Sequence, residues 1–214
     1  MKSKVELLSV WGNDNQVVNA ARVSFDKAAE NYTPDQNAKL IYYLAKHNHW
    51  SPFAHTGLSF RIEAPIFVAR QLAKHQIGLS WNEVSRRYVK YQPGVWKPEY
   101  FRKAAESVKQ GSHDEPVGNP RCLADYGYAV DLALRIYNNL IMEGVCPEQA
   151  RAVLPQGMMT LWTWSGSLYA FHRVVEQRTT DYAQRETSEV AKAISNHCLD
   201  AFPVSWSALR GANL

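Results

Sequence analysis

The sequence predicts an α+β fold in which helices outnumber strands. Two observations lead there. Several segments of helical length follow recognisable start residues, and only residues 58–63 and 158–164 read as strand. In chain order, residues 13–24 read as a short helix. Thr33-Pro34-Asp35-Gln36 is a helix start, with Thr33 as N-cap, Pro34 in the first position and Gln36 closing a capping box. That helix runs to about residue 47 and turns Leu40, Ile41 and Leu44 inward. Leu58, Phe60 and Ile62 alternate with Ser59, Arg61 and Glu63, the pattern of a half-buried strand. Pro65 opens an apolar helix from residue 66 to about 75. Residues 92–120 hold four prolines and three glycines and read mostly as loop. A long helix follows from 120 to about 143, stopped by Gly144, and Pro147 starts a shorter one that ends before Pro155. Helices over 165–178 and 181–201 complete the chain.

The 214 residues, 46% of them hydrophobic, suffice for one core, so 1–214 is expected to be a single domain. No run approaches the ~20 apolar residues of a membrane span, and the first residues lack the apolar stretch of a signal peptide. The expected setting is cytoplasmic, with no membrane partner. Cys122, Cys146 and Cys198 are odd in number and far apart, so they predict free thiols, not a disulfide framework or a C-x-x-C metal site. His47, His49 and His55 fit no zinc spacing, and no metal is expected. The net charge of +4 suits an anionic ligand. A basic nucleic-acid-binding module is the reading from another class, but Lys and Arg are not gathered into one dense run, so no nucleic-acid partner is expected.

The most unusual stretch is RQLAKHQIGLSWNEVSRRY, residues 70–88. It offers Arg70, Lys74, Arg86 and Arg87 as cations, with Gln71, His75, Gln76, Asn82, Glu83 and Ser85 among them. If the helix runs to 75, Gln71, Lys74 and His75 share one face at i, i+3, i+4. Such a face beside a loop of N–H donors suits a phosphate, although a solvated polar loop has the same composition.

The segment resembles the signature of flavin-dependent thymidylate synthases (the ThyX family): R-H-R, seven or eight residues, then Ser, often within N-E-x-S-x-R-Y. Asn82-Glu83-Val84-Ser85-Arg86-Arg87-Tyr88 matches the second part completely, whereas Lys74-His75-Gln76 keeps only the histidine of the first. Further segments resemble the same family: Ala21-Arg22-Val23-Ser24-Phe25, His49-Trp50-Ser51-Pro52-Phe53, the A-P-I-F-V-A-R-Q run ending at Gln71, Arg151-Ala152-Val153-Leu154-Pro155, and WTWSGSLYAFHRVVEQRTTDYAQRET near the end. The likeness covers roughly residues 15–205.

The resemblance implies helices packed on a small, mostly antiparallel sheet, a homotetramer with shared active sites, and FAD at the interface. It implies the reductive methylation of dUMP to dTMP, with methylenetetrahydrofolate and NADPH as co-substrates. By the same likeness Ser24, His49, Ser51, Lys74, His75 and Gln76 contact FAD, with Ser167, Leu168, Tyr169 and Arg173 in a further flavin-binding stretch. Glu83 falls between flavin and nucleotide. Gln71, Lys74, Ser85, Arg86, Arg87 and Arg151 match dUMP-binding positions, and Arg178 matches the arginine that contacts the uracil and favours its ionisation. These roles are physically sound. Arg87 and Arg151 offer forked contacts to a phosphate, and a guanidinium at Arg178 stabilises negative charge developing on the pyrimidine. Ser85 has no base paired with it in the sequence and is read as a substrate-binding hydroxyl. The altered triplet leaves open a sister enzyme acting on dCMP.

Overall fold

The computed structural model describes residues 1–105 and 112–211. Strand β1 (Lys4–Trp11) leads into helix α1 (Asp14–Arg22), 3₁₀ turns at Val23–Phe25 and Ala29–Asn31, and α2 (Pro34–Lys46). A 3₁₀ turn (Ser51–His55) enters β2 (Gly57–Pro65), followed by α3 (Ile66–Leu72) and β3 (Leu79–Glu83). A small antiparallel pair, β4 (Arg102–Ala104) and β5 (Ser112–Pro116), precedes α4 (Arg121–Met142) and α5 (Pro147–Ala150). Strand β6 (Met159–Ser167) then runs directly into α6 (Leu168–Arg178), and α7 (Arg185–Ala201) and α8 (Pro203–Leu209) follow. Among the described residues no helix is long and apolar enough to cross a membrane.

The main sheet has the order β1-β2-β6-β3 with every pair antiparallel. Alternation decides which face is dry. Leu58, Phe60 and Ile62 of β2 and Trp162 and Trp164 of β6 are buried, while Arg61 and Thr163 point to water. The buried face packs on Phe171, Val174 and Val175 of α6 and on Val190, Ile194 and Cys198 of α7. The capping box at α2 forms as expected: Gln36 N donates to Thr33 Oγ1 (3.3 Å) and Thr33 N donates to Gln36 Oε1 (3.0 Å). Ile41 and Leu44 are buried, and Leu40 is partly so.

The structure departs from the sequence expectations in several places. Strand β1 is present where no element was expected, because a register shift between Leu7 and Ser9 breaks its alternation. Helix α3 stops at Leu72, so Lys74 and His75 lie in a turn and share no helical face with Gln71. The stretch expected to be loop after it contains β3, which pairs with β6 through Leu79↔Gly166 and Glu83↔Trp162. Helix α6 begins at Leu168, not residue 165, because β6 continues through Ser165 and Gly166. Gly166 is required there: a side chain would meet Leu79 Cδ2 at 2.3 Å and the Gly78 carbonyl at 2.7 Å. Helix α7 starts at Arg185, and α8 was not expected. Residues 92–120 carry the β4–β5 pair, although the part at 106–111 lies outside the described residues.

Candidate active site

The expected site residues fall into three clusters. The first surrounds a cavity of about 310 Å³ lined by Glu83, Ser85, Arg86, Arg151, Met158 and Thr160. Glu83 sits at the end of β3, where it accepts from Thr160 Oγ1 (2.6 Å) and Trp81 Nε1 (3.2 Å). Ser85 Oγ accepts from Arg87 N (3.3 Å), and no imidazole or carboxylate bonds it among the described residues. That geometry suits a binding hydroxyl, not a nucleophile. Glu148 of α5 gathers the two arginines: its side chain pairs with Arg87 Nε (3.3 Å) and its carbonyl accepts from Arg151 Nε (3.2 Å). Both guanidiniums keep N–H groups for an anion. Arg86 differs. It is buried, donates from Nη1 to the Tyr91 carbonyl and lies 4.6 Å from the Tyr91 ring centroid. Its side chain clasps the 86–91 loop.

The second cluster joins α3 to the end of α6. Arg178 Nε donates to His75 Nε2 (2.9 Å) and Arg178 Nη2 donates to the Gln71 carbonyl (3.3 Å). Burial, then the Arg178 and Arg173 guanidiniums, pushes the His75 pKa below its ordinary 6.5. A neutral imidazole is what an acceptor from Arg178 must be. Gln71 itself donates to Gln184 Oε1 and accepts from Thr187 Oγ1 (3.2 Å).

The third cluster is at the opposite end of β6. Ser167 caps α6 by accepting from Ala170 N (3.2 Å), so its hydroxyl is committed to the helix. Gly78 adopts φ +74° and packs so closely that a side chain would meet Ala170 Cβ at 3.1 Å, which seats the Gln76–Gly78 turn on the start of α6. Trp50 faces Tyr169 with ring centroids 6.0 Å apart. Ser24, His49, Ser51, Lys74 and Gln76 are exposed nearby or on adjoining turns, with Val23, Phe25, Trp50 and Ile77 as exposed apolar neighbours. Hydroxyl and amide groups beside unpacked aromatic surface are the chemistry a large planar cofactor needs, so these residues fit a flavin. Arg173 sits on α6 within electrostatic reach of His75, the residue before the uncharged Gln76.

The structure keeps the first and third clusters apart within one chain, while the second adjoins the third through Lys74-His75-Gln76. Thr160 and Ser167 are seven residues apart on one strand, roughly 23 Å. Sequence reasoning missed Thr160, Trp81, Gln184 and Thr187, which bond the expected residues from behind, and Glu186, which holds Gln184. The A-Q-x-E spacing at Gln184 and Glu186 was the available signal. A larger cavity, about 570 Å³, opens beside Trp96, Tyr100 and Arg102. Its two arginines are paired, Arg102 with Glu186 and Arg185 with Asp114 and Glu189, so the smaller cavity is the better anion site.

A family model described as thymidylate synthase complementing protein matches residues 6–204. A flavin-dependent thymidylate synthase of Thermus thermophilus is 35% identical over 207 residues, covering 97% of this chain and 75% of the relative. One from Thermosipho africanus is 32% identical over 209 residues, covering 97% and 90%. The crystal structure of PolB, a UMP/dUMP methylase of Streptomyces cacaoi bound with 5-Br dUMP, superposes with a TM-score of 0.87 at 28% identity, covering 99% of this chain and 96% of that one. The same methylase bound with 5-Br UMP gives 0.84 at 26% identity, covering 98% and 94%.

Proposed function

This chain belongs to the flavin-dependent thymidylate synthase family, and on that premise we propose the reaction it carries out: the reductive methylation of dUMP to dTMP. Methylenetetrahydrofolate provides the one-carbon unit and NADPH the electrons, leaving tetrahydrofolate and NADP. FAD, when bound, supplies the hydride that completes the methyl group. The chain's own residues bind, orient and polarise. Arg87, Arg151, Ser85 and the backbone at Arg86 take the nucleotide, with Gln71 and Lys74. Arg178 faces the uracil and favours negative charge on it. Ser24, His49, Ser51, Lys74, His75, Gln76, Tyr169 and Arg173 hold the flavin, and Glu83 lies between flavin and nucleotide. Ser167 contributes through the start of α6 and not through its capped hydroxyl.

The observation that carries this reading is the cavity at the end of β3, where Ser85, Arg86 and Arg151 meet under Glu83. The first and third clusters are separated within one chain, which supports a homotetramer whose active sites are shared between copies. The chain acts as one catalytic domain, in the cytoplasm. The test is an assay of NADPH oxidation and product formation with dUMP, UMP and dCMP in parallel, on a preparation with a flavin absorption spectrum. UMP is included because the PolB neighbour is a UMP/dUMP methylase; the matches favour uracil nucleotides over dCMP. Methylation of dUMP is expected. A colourless preparation with no product from any of the three overturns the reading.

No thiol takes part. Cys122 and Cys146 lie outside the clusters, and burial pushes the pKa of the core thiol Cys198 far up. Changing Cys122 and Cys146 to serine and Cys198 to alanine is therefore expected to leave dTMP formation within about threefold of wild type, since a buried serine hydroxyl at 198 is avoided. A folded, flavin-loaded triple variant without activity would sink the thiol-free route.

Gln76 stands where relatives by signature carry arginine. Gln76→Arg is expected to tighten FAD by ~0.5–1.5 kcal/mol if the new charge stays partly exposed, measured by flavin titration of the apo-protein. Unchanged affinity would mean that Arg173 already provides the charge.

A further inference from the structure

Behind Gln71 runs a chain of directed hydrogen bonds that ends at a charged pair. Arg102 of β4 donates from Nη1 and Nη2 to the two Glu186 carboxylate oxygens, at 2.7 and 3.1 Å, and from Nε to Ser112 Oγ of β5 at 2.7 Å. The pair is largely removed from water, with side-chain exposures of 18% and 10%. Burial by itself raises the Glu186 pKa, but bonds from Arg102, the backbone and Gln184 outweigh it and hold the carboxyl below its usual range. Gln184 Nε2 donates to Glu186 Oε2 (3.0 Å). A carboxylate only accepts, so the Gln184 amide has one permitted orientation, with Oε1 toward Gln71. Gln71 must then offer Nε2 to it, and its Oε1 accepts from Thr187 Oγ1 (3.2 Å). One N–H and one lone pair remain on the Gln71 amide, at defined positions.

We propose that Glu186, held by Arg102, is a positioning residue for nucleotide binding: its carboxylate sets the orientation of Gln184 and, through it, the hydrogen-bonding edge that Gln71 presents to dUMP. The inference rests on the assignment of Gln71 to the nucleotide made above. It gives the β4–β5 pair a task, because Arg102 and Ser112 tie both strands to the first turn of α7. It also explains why a buried charge is placed at 186. A neutral partner there would either donate or accept, and the amides at 184 and 71 would be free to turn over.

The test is a calorimetric titration of the flavin-loaded full-length protein with dUMP, together with steady-state kinetics. Glu186→Gln is expected to raise the dUMP Kd about tenfold, the size of one lost charge-assisted hydrogen bond. KM should rise in parallel while kcat changes by less than about threefold, and flavin content should stay at the wild-type level. Glu186→Asp keeps an acceptor-only group and should recover most of the affinity. Thr187→Val, close in shape at a fully buried site, should raise Kd about threefold without touching the ion pair, and it serves if Glu186→Gln does not fold. An unchanged Kd in folded Glu186→Gln or Thr187→Val overturns the inference, as does an equal loss in the Asp and Gln variants, which would make the role one of packing. Wild-type protein that fails to bind dUMP would instead remove the assignment of Gln71, and the inference with it.

Discussion

Arg178→Ala is expected to reduce dTMP formation by about 10²–10³-fold, ~2.7–4 kcal/mol of lost transition-state stabilisation. The guanidinium closes α6 and is held at two points, by Nε to His75 Nε2 (2.9 Å) and by Nη2 to the Gln71 carbonyl (3.3 Å). These bonds aim the rest of the fork without consuming it, which is the preorganisation that electrostatic catalysis needs. Its removal has a second consequence. His75 loses the donor to Nε2 and one of the cations that depress its pKa, so the imidazole pKa moves back toward its ordinary value. Flavin content measured by absorbance should fall far less than turnover, because Ser51, Tyr169 and the Gln76–Gly78 turn are anchored independently of Arg178. Loss of flavin and activity in equal proportion would show that Arg178 is structural.

Trp164→Ala is expected to destabilise the fold by about 3–5 kcal/mol, the range for removing a large aromatic from a core. Trp164 is fully buried. It meets Trp81 of β3 edge-on at 5.5 Å and Phe171 of α6 at 5.4 Å. Strand β3 carries Glu83 and leads to Ser85, and α6 carries Arg173 and Arg178, so one side chain supports both sides of the chemistry. Trp81 also stacks on Trp162 at 4.4 Å, which keeps β3 seated when Trp164 is trimmed only modestly. The Trp164 indole N–H has no hydrogen-bond partner among the described residues. Trp164→Phe therefore forfeits volume but no polar contact and should cost much less than alanine. The check is denaturant unfolding followed by far-UV circular dichroism. A cost below about 1 kcal/mol for alanine would mean that the sheet and α6 close over the space, so that neither depends on Trp164.

Much of the site was legible before any coordinates. Local chemistry wrote it: a hydroxyl and arginines at fixed spacing after a histidine, a proline-led helix start, an alternating strand. These features are decided by neighbours within a few residues, so the sequence displays them directly. The capping box at Thr33 formed for that reason, as did the burial of Phe60 and Ile62. Less visible were elements whose stability comes from distant partners. Helix α8 is started by Asp14, whose carboxylate accepts from Val204 N and Ser205 N at 3.0 and 2.9 Å, about 190 residues away in the chain. Strand β3 forms because β6 offers an unpaired edge and Gly166 lets it approach.

The sequence by itself determined the family, the fold class and the apolar helix that opens the motif, and it displayed the residue types suited to an anionic nucleotide and a flavin. Only the tertiary structure decided how those residues are deployed. It turned Arg86 back onto Tyr91, ended α3 before Lys74, capped α6 with Ser167 and tied Gln71 through Gln184 to the Arg102–Glu186 pair. The reason is physical. Residue type states which bonds a side chain can make, and local spacing states which neighbours it can reach along the chain. Which bond it does make depends on the donors, acceptors and desolvation brought to it by segments far away in sequence, and those exist only once the chain has folded.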